Sequence, residues 1–456
     1  MPRSQPRSAE RAAALPFWLL AAFLLILFIA GGASRADVLG QPLVRFFAWG
    51  ILIGFVLFAR SFRWPDAGPA LLLGAATLVV VLQLIPLPPG WWSNLPGRQI
   101  LAEAAIVTGQ PQPWRPLSMS PGATVNALGS LIVPALILLL AAQLSREQQR
   151  QGVTLMLVLV LVGSLLALLQ FSGGRLDNPF INDPPGAVAG NFANRNHMAL
   201  FLAIGCLIAP FWAFRGDKVG RWRVVAGIGL LPLLLLVILA TGSRTGIALG
   251  LAGTVLGLAI SWRTLTRELQ ALPGKLRLSL FGGFAAAVVG VLVLSFTRGR
   301  AVAVDRALAL ESAEDLRTQV LPTILAMLER YFPAGSGFGT FDPVYRITEP
   351  DALLQPNYLN QAHNDWLGVL LDGGLAGALV LAAAVGWWAV ASVRAWRARP
   401  PRDLPRIGSS VILLVFLASI VDYPARTPMI MGLIALAATW LASNGSSTKR
   451  EGGRQP

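Results

Sequence analysis

The sequence predicts an all-α protein, a polytopic membrane bundle of about twelve transmembrane helices with one large loop that contains short helices. Composition, hydropathy and charge placement predict it. Of the 456 residues, 55% are hydrophobic and 13% charged, about half the roughly 25% charged share of a soluble domain. Mean hydropathy is +0.62, and apolar runs long enough to cross a bilayer recur from end to end. The basic residues concentrate in every second connection, as the positive-inside bias requires.

In order, the spans are read at 15–31, 43–59, 69–87, 123–142, 153–171, 197–214, 224–241, 245–262, 279–297, 365–391, 408–421 and 428–442. The eleventh is the shortest. The first carries basic residues, an apolar core and Ser34-Arg35-Ala36 in the manner of a signal peptide. It is read as a retained span, since further spans follow directly.

The N-terminal tail (Arg3, Arg7, Arg11) is basic, as are the connections with Arg60 and Arg63, Arg146 and Arg150, Arg215 to Arg223, Arg263 to Arg277, and Arg394 to Arg406. The C-terminal tail carries Lys449, Arg450 and Arg454. With an even number of spans these all fall on the cytoplasmic face, with both termini. The opposite face carries 88–122, rich in Pro and Trp, then 172–196, and then 298–364, the longest. The last contains a helix expected at 312–331. Trp91, Trp92 and Trp114 suit an interfacial belt. The whole chain, 1–456, reads as a single integral membrane domain with 298–364 as its large periplasmic loop.

The formal charge of +15 follows this one-sided distribution, so a nucleic-acid partner is not expected. The one cysteine, Cys206, lies in an apolar run and permits no internal disulfide and no cysteine-rich metal site. Two histidines do not make a His-rich metal site, and no cofactor is expected. Acidic ligands for a divalent cation stay open in the loop alone.

The groups that could carry chemistry share one depth. His363 opens HNDWLGVLLDGGLAGALV, where the large loop meets span ten, with Asn364 and Asp365 behind it. A near-neutral base at a membrane edge suits proton chemistry on a water-facing hydroxyl. Asp372 lies two turns below Asp365, near the same helix face. A carboxylate inside a span is costly and is a functional candidate by default, although pairing with an arginine also accounts for it. His197 opens span six, in a structural or supporting role. Arg244 lies in TGSRTG between spans seven and eight, and Arg317 in the large loop. Each also has a plainer reading: a solvated helix end for His363, a snorkelling side chain for Arg244, a loop-helix charge for Arg317. GSGFGTF at 335–341 is weak evidence for phosphate binding and reads equally as a turn. The glycines of span ten (Gly373, Gly374, Gly377) read as close-packing residues.

Taken together, LQLIPLPPGWW after span three, GNFANRNHMALFLA at span six, TGSRTG before span eight and the ordered series Arg317, GSGFGTF, HNDWLGVLLDGGLAG resemble the O-antigen ligase and polymerase superfamily. The resemblance covers most of the chain. It implies a membrane glycosyltransferase that moves a glycan from undecaprenyl diphosphate to an acceptor hydroxyl on the periplasmic face of the bacterial inner membrane. It carries the family's functional histidine onto His363 and its arginines onto Arg244 and Arg317. It also implies that neither metal nor nucleotide sugar is needed. Transfer to lipid A–core, the ligase reaction of lipopolysaccharide biosynthesis, is the preferred reading. O-antigen or exopolysaccharide polymerisation and protein O-oligosaccharide transfer stay open.

The chemistry fits independently. Charge grows on a diphosphate leaving group, and arginine forks suit it. A neutral His363 could take the proton of an attacking hydroxyl, and direct displacement inverts the anomeric centre. A transporter or flippase is the main rival from another class. It expects polar groups near mid-membrane and broken helices, whereas here they gather at one face. A non-catalytic envelope-assembly protein is a third reading.

Overall fold

The computed structural model describes residues 6–59, 62–174, 178–181, 187–215, 221–270, isolated positions between 274 and 293, 319–354 and 359–443. The expected ninth span, at 279–297, falls outside the continuously described residues. The first helices are α1 (Pro6–Ala30), α2 (Gly40–Phe58) and α3 (Ala67–Leu82). A short excursion follows: β1 (Pro86–Leu87), α4 (Pro89–Trp92), α5 (Gln99–Val107) and β2 (Arg115–Pro116). The chain returns through α6 (Pro121–Ser130), α7 (Ile132–Gln143), α8 (Arg146–Phe171), α9 (Arg195–Ala213), α10 (Arg221–Ala240) and α11 (Arg244–Gln270). Beyond come α12 (319–331), α13 (Phe341–Thr348), α14 (Asp365–Arg397), α15 (Asp403–Ala418) and α16 (Pro428–Ala442).

The polytopic helical architecture is as expected. By length and composition, seven stretches among the described residues can cross a membrane: α2, α6 with α7, α8, α9, most of α10, α11 and α14. Shorter apolar helices lie at Ala14–Ala30, Ala67–Leu82 and Pro428–Ala442. The expected fourth span is broken at Leu131, between α6 and α7. Pro134 explains the break, since it has no N–H to donate to the Ser130 carbonyl. Beyond the short connection at 144–145, α8 starts from a full capping box, with Ser145 and Gln148 satisfying each other's backbone N–H groups.

α9 forms the axis of the bundle. It is buried over almost its whole length, packing on α8, α10, α11 and α15. Glycines allow the approach of α11: a Cβ at Gly253 would lie 2.4 Å from the Ala203 carbonyl oxygen, and one at Gly257 2.4 Å from that of Leu207. Backbone contact of this kind drives helix association where no hydrophobic gradient exists. α1 adds Phe23, Leu24 and Leu27 to the same core.

The two ends of the bundle differ. At one end basic side chains tie helix ends together. Arg215 reaches Glu147 and the Arg150 carbonyl, and Arg406 reaches the carbonyls of Ala395 and Trp396. The other end carries the longer connections. There β1 and β2 pair antiparallel and close the 86–116 excursion. Trp91 and Trp114 are exposed on it, as an interfacial belt requires, but Trp92 is not part of such a belt. Its ring is fully buried and its Nε1 donates to the Pro113 carbonyl at 2.8 Å, because the indole closes the excursion from inside. Arg98, also buried, donates to the carbonyls of Pro96, Leu117 and Gly335, and so joins this excursion to the glycine-rich loop. Burial, with Tyr331 partly offsetting it, pushes its pKa down to about 10.

GSGFGTF is a docking loop. Gly335, Gly337 and Gly339 all have positive φ. The loop seats on α14 where that helix bends at Gly374 (φ 56°, ψ −143°). Ser336 N donates to the Leu371 carbonyl, Gly337 N to that of Asp372 and Leu375 N to that of Pro333, each at 2.9 Å. Gln83 clasps the joint, donating to the Asp372 carbonyl and accepting from Phe338 N. A Cβ at Gly374 would sit 2.2 Å from the Pro333 carbonyl oxygen. Gly374→Ala is therefore expected to destabilise the protein by at least about 1–3 kcal/mol through the backbone alone. Gly386→Ala, on the same helix with nothing near its Cβ, is expected to be neutral or stabilising. Thermal unfolding in detergent compares the two.

Candidate functional site

Three helix starts and one turn meet at the loop-bearing end. α9 begins at Arg195, α14 at Asp365 and α16 at Pro428, and the turn 419–427 joins α15 to α16. Asn194 caps α9 through the Asn196 N–H, and Asn364 caps α14 through the Leu367 N–H. The Asn364 amide also donates to the Ile420 carbonyl at 2.7 Å. The Asp365 N–H bonds the carbonyls of Ser419 and Asp422. The start of α14 is thus sewn to the turn.

Asp422 is the hub. Its buried carboxylate accepts from Asn194 Nδ2 (3.1 and 3.2 Å), Asn196 Nδ2 (2.6 Å) and Tyr423 N (2.9 Å). Both histidines face it, with His197 Nε2 at 3.5 Å and His363 Nδ1 at 3.8 Å from Oδ1. The Tyr423 ring stands edge-on to each imidazole, at 5.3 Å from His197 and 4.9 Å from His363. His197 is buried, its Nδ1 3.0 Å from Thr427 Oγ1. His363 is one-fifth exposed and has φ +49°. That left-handed conformation is uncommon outside glycine and marks a position held by its surroundings.

A second cluster adjoins the first. Arg426 lies between two carboxylates of α14: Nη1 donates to Asp372 Oδ2 at 3.0 Å, and Nε is 3.5 Å from Asp365 Oδ1. Asp365 also accepts from Ser419 Oγ and Ala425 N, and Asp372 from Gly339 N. The i, i+7 spacing puts both acids on one face, with one guanidinium spanning them. Burial works to lower the Arg426 pKa, and the two carboxylates outweigh it, leaving the group above the ordinary arginine value.

Beside these clusters opens a cavity of about 670 Å³. Its polar end includes Arg35, Asp37, Asn360, Asp365 and Arg426, and its wall runs down to Val80, Leu381, Ile412 and Ile434 among the spans. A smaller chamber of about 140 Å³ shares Ser34, Arg35 and Asn360 with it and reaches Asn194, His197 and Tyr423.

The structure thus brings together His363, His197, Asn364, Asp365 and Asp372. Arg244 opens α11, exposed, beside Thr245 and Gly246, which share a small crevice with His197 and Asp422. Arg317 lies outside the described residues. No group of three or more His, Cys, Asp or Glu among the described residues has a metal-binding arrangement. Sequence reasoning missed Asp422, Tyr423 and Arg426. A usable signal was present: DYPAR falls between the last two spans on the face where arginine is scarce.

Residues 229–382 match the family model described as O-antigen ligase, and the resemblance of the sequence to that superfamily holds over this segment. The matched stretch is about a third of the chain. It runs from α10 into α14 and so includes His363, Asp365 and Asp372, but neither His197 nor the turn with Asp422 and Arg426. No curated protein matches the chain.

Proposed function

We propose, on the premise of an O-antigen-ligase-like segment in a polytopic helical membrane protein, that the chain transfers a glycan from undecaprenyl diphosphate to an acceptor hydroxyl, most simply one on lipid A–core. The observation that carries the reading is the larger cavity. It has a charged, hydrogen-bonding end at Arg35, Asp365 and Arg426 and an apolar end among the spans. Such a shape suits a ligand with a polar head and a hydrocarbon tail.

In this reading the acceptor hydroxyl gives its proton to His363 as its oxygen attacks the anomeric carbon. The bond from that carbon to the diphosphate oxygen breaks, and undecaprenyl diphosphate leaves with the electron pair. Asp422 stabilises the imidazolium that forms, and Tyr423 and Asn364 hold the His363 segment in place. His197 supports Asp422 at the same oxygen, Oδ1. Arg244 and Arg317, neither of them among the described residues that line this cavity, are assigned to the donor diphosphate by the resemblance alone. Asp365 and Asp372 fix Arg426 at the polar end of the cavity. Displacement is direct, inverts the anomeric centre and needs neither metal nor cofactor. Polymerisation of the same class of donor uses the same parts with a different acceptor.

The test is transfer by the purified protein in nanodiscs, supplied with an undecaprenyl-diphosphate oligosaccharide and lipid A–core. A lipid A–core product of higher mass and released undecaprenyl diphosphate are expected. Donor lengthening without a lipid A–core product would favour the polymerase.

The site end is proposed to face the periplasm, with both termini cytoplasmic in the inner membrane. Val107 on α5 and Trp64 in a basic connection are equally exposed, while native Cys206 is buried. Val107→Cys is expected to react with an impermeant maleimide in cells whose outer membrane alone is opened, and Trp64→Cys only after lysis. The reverse pattern would invert the topology.

A further inference from the structure

We propose that Arg35 is an anion-binding residue of the larger cavity and that Asp37 is its exchangeable counter-ion, which sets how tightly a prenyl diphosphate is held. The inference rests on reading that cavity as the donor's. Arg35 lies in the connection between α1 and α2, on the wall that the larger cavity shares with the smaller chamber. A phosphate bound beside it therefore lies next to the chamber that reaches His197 and Tyr423.

Among the described residues lining the larger cavity, the cations are Arg35 and Arg426, and they are held differently. Arg426 spans Asp365 and Asp372, and Asp372 is fully buried. Drawing Arg426 away leaves a buried carboxylate without its counter-ion, which is strongly unfavourable. Arg35 is held by Asp37, with Nε 2.9 Å from Oδ1 and Nη2 on Oδ2. The two side chains are 29% and 60% exposed, so water receives Asp37 at little cost when Arg35 turns away. The hydrogen-bonded Arg35 holds the Asp37 carboxyl below its ordinary range, so Asp37 stays ionised and competes for the guanidinium at neutral pH. A diphosphate carries more charge than a carboxylate and offers paired oxygens to the fork. The exchange therefore favours the ligand at Arg35, with Asp37, two residues away, as a built-in competitor.

The two residues are expected to act with opposite sign, which separates anion binding from a brace for the 31–39 connection. The probe is radiolabelled farnesyl diphosphate, measured by equilibrium dialysis against the full chain in neutral-lipid nanodiscs. Arg35→Gln is expected to weaken binding about tenfold. Asp37→Asn is expected to tighten it about two- to fivefold, and the double variant to bind like Arg35→Gln. Inorganic diphosphate is expected to compete through the same residue. Shifts of the same sign, or none, in a wild type that binds the probe would overturn the role of Arg35 and leave the donor cavity standing. A wild type that does not bind it overturns the donor cavity and this proposal together. A parallel arm replaces part of the neutral lipid with phosphatidylglycerol. If that lipid alone abolishes the difference between wild type and Arg35→Gln, the residue serves bilayer headgroups and the assignment fails.

Discussion

Replacing Arg426 by methionine is expected to destabilise the protein by about 3–5 kcal/mol, the usual result of removing one partner from a buried ion pair. The shorter, uncharged side chain leaves Asp372, fully buried, and Asp365 without their shared cation. Loss of a surface cation costs less than about 1 kcal/mol, so the size of the effect is diagnostic. The triple variant Asp365→Asn, Asp372→Asn, Arg426→Met removes the uncompensated charge and is expected to recover most of the melting temperature. Thermal unfolding of the single and triple variants in the same detergent decides the matter. If the single variant unfolds like wild type, the two acids do not depend on Arg426.

The second large effect is on rate. His363→Gln is expected to insert, fold and bind donor, yet to turn over about 10²–10⁴-fold more slowly, as loss of a general base costs. An amide can take up the edge-on contact with Tyr423 and a hydrogen bond toward Asp422, but it accepts no proton at neutral pH. Turnover is to be measured at saturating donor and acceptor, so that weakened binding does not enter. Near wild-type turnover of His363→Gln would remove the base assignment. His197→Gln is expected to lose much less, because that ring is buried between Thr427 and Asp422.

The fold was largely legible because a bilayer leaves few solutions for an apolar chain. The start of α14 at Asp365 and the shared face of Asp365 and Asp372 follow from hydropathy and from 3.6 residues per turn. Less was legible of the irregular backbone. The break at Leu131 needed Pro134 to be weighed against a continuous apolar run. Trp92 was placed at the interface because composition does not show which of two adjacent indoles turns inward. GSGFGTF reads as a possible phosphate cradle until the structure shows its partner, the bend at Gly374. The site was half legible. His363, Asp365 and Asp372 stand out in and beside an apolar run, whereas Asp422 and Arg426 lie in a short polar turn that carries no periodic signal. Their importance comes from contacts with residues more than 50 positions away, which spacing along one chain does not encode.

The turn 419–427 also bears on biosynthesis. It supplies the carboxylate facing both histidines and the guanidinium between both acids of α14, and it leaves the ribosome after all of them. A nascent chain that has inserted everything up to α14 already presents His363 but not Asp422 or Arg426. On the proposed chemistry, such an intermediate meets lipid-linked sugar in the membrane without the parts to consume it. On the same chemistry, activity waits for α15 and the turn behind it, so a product truncated before that turn is expected to be inert rather than a wasteful hydrolase of its own donor.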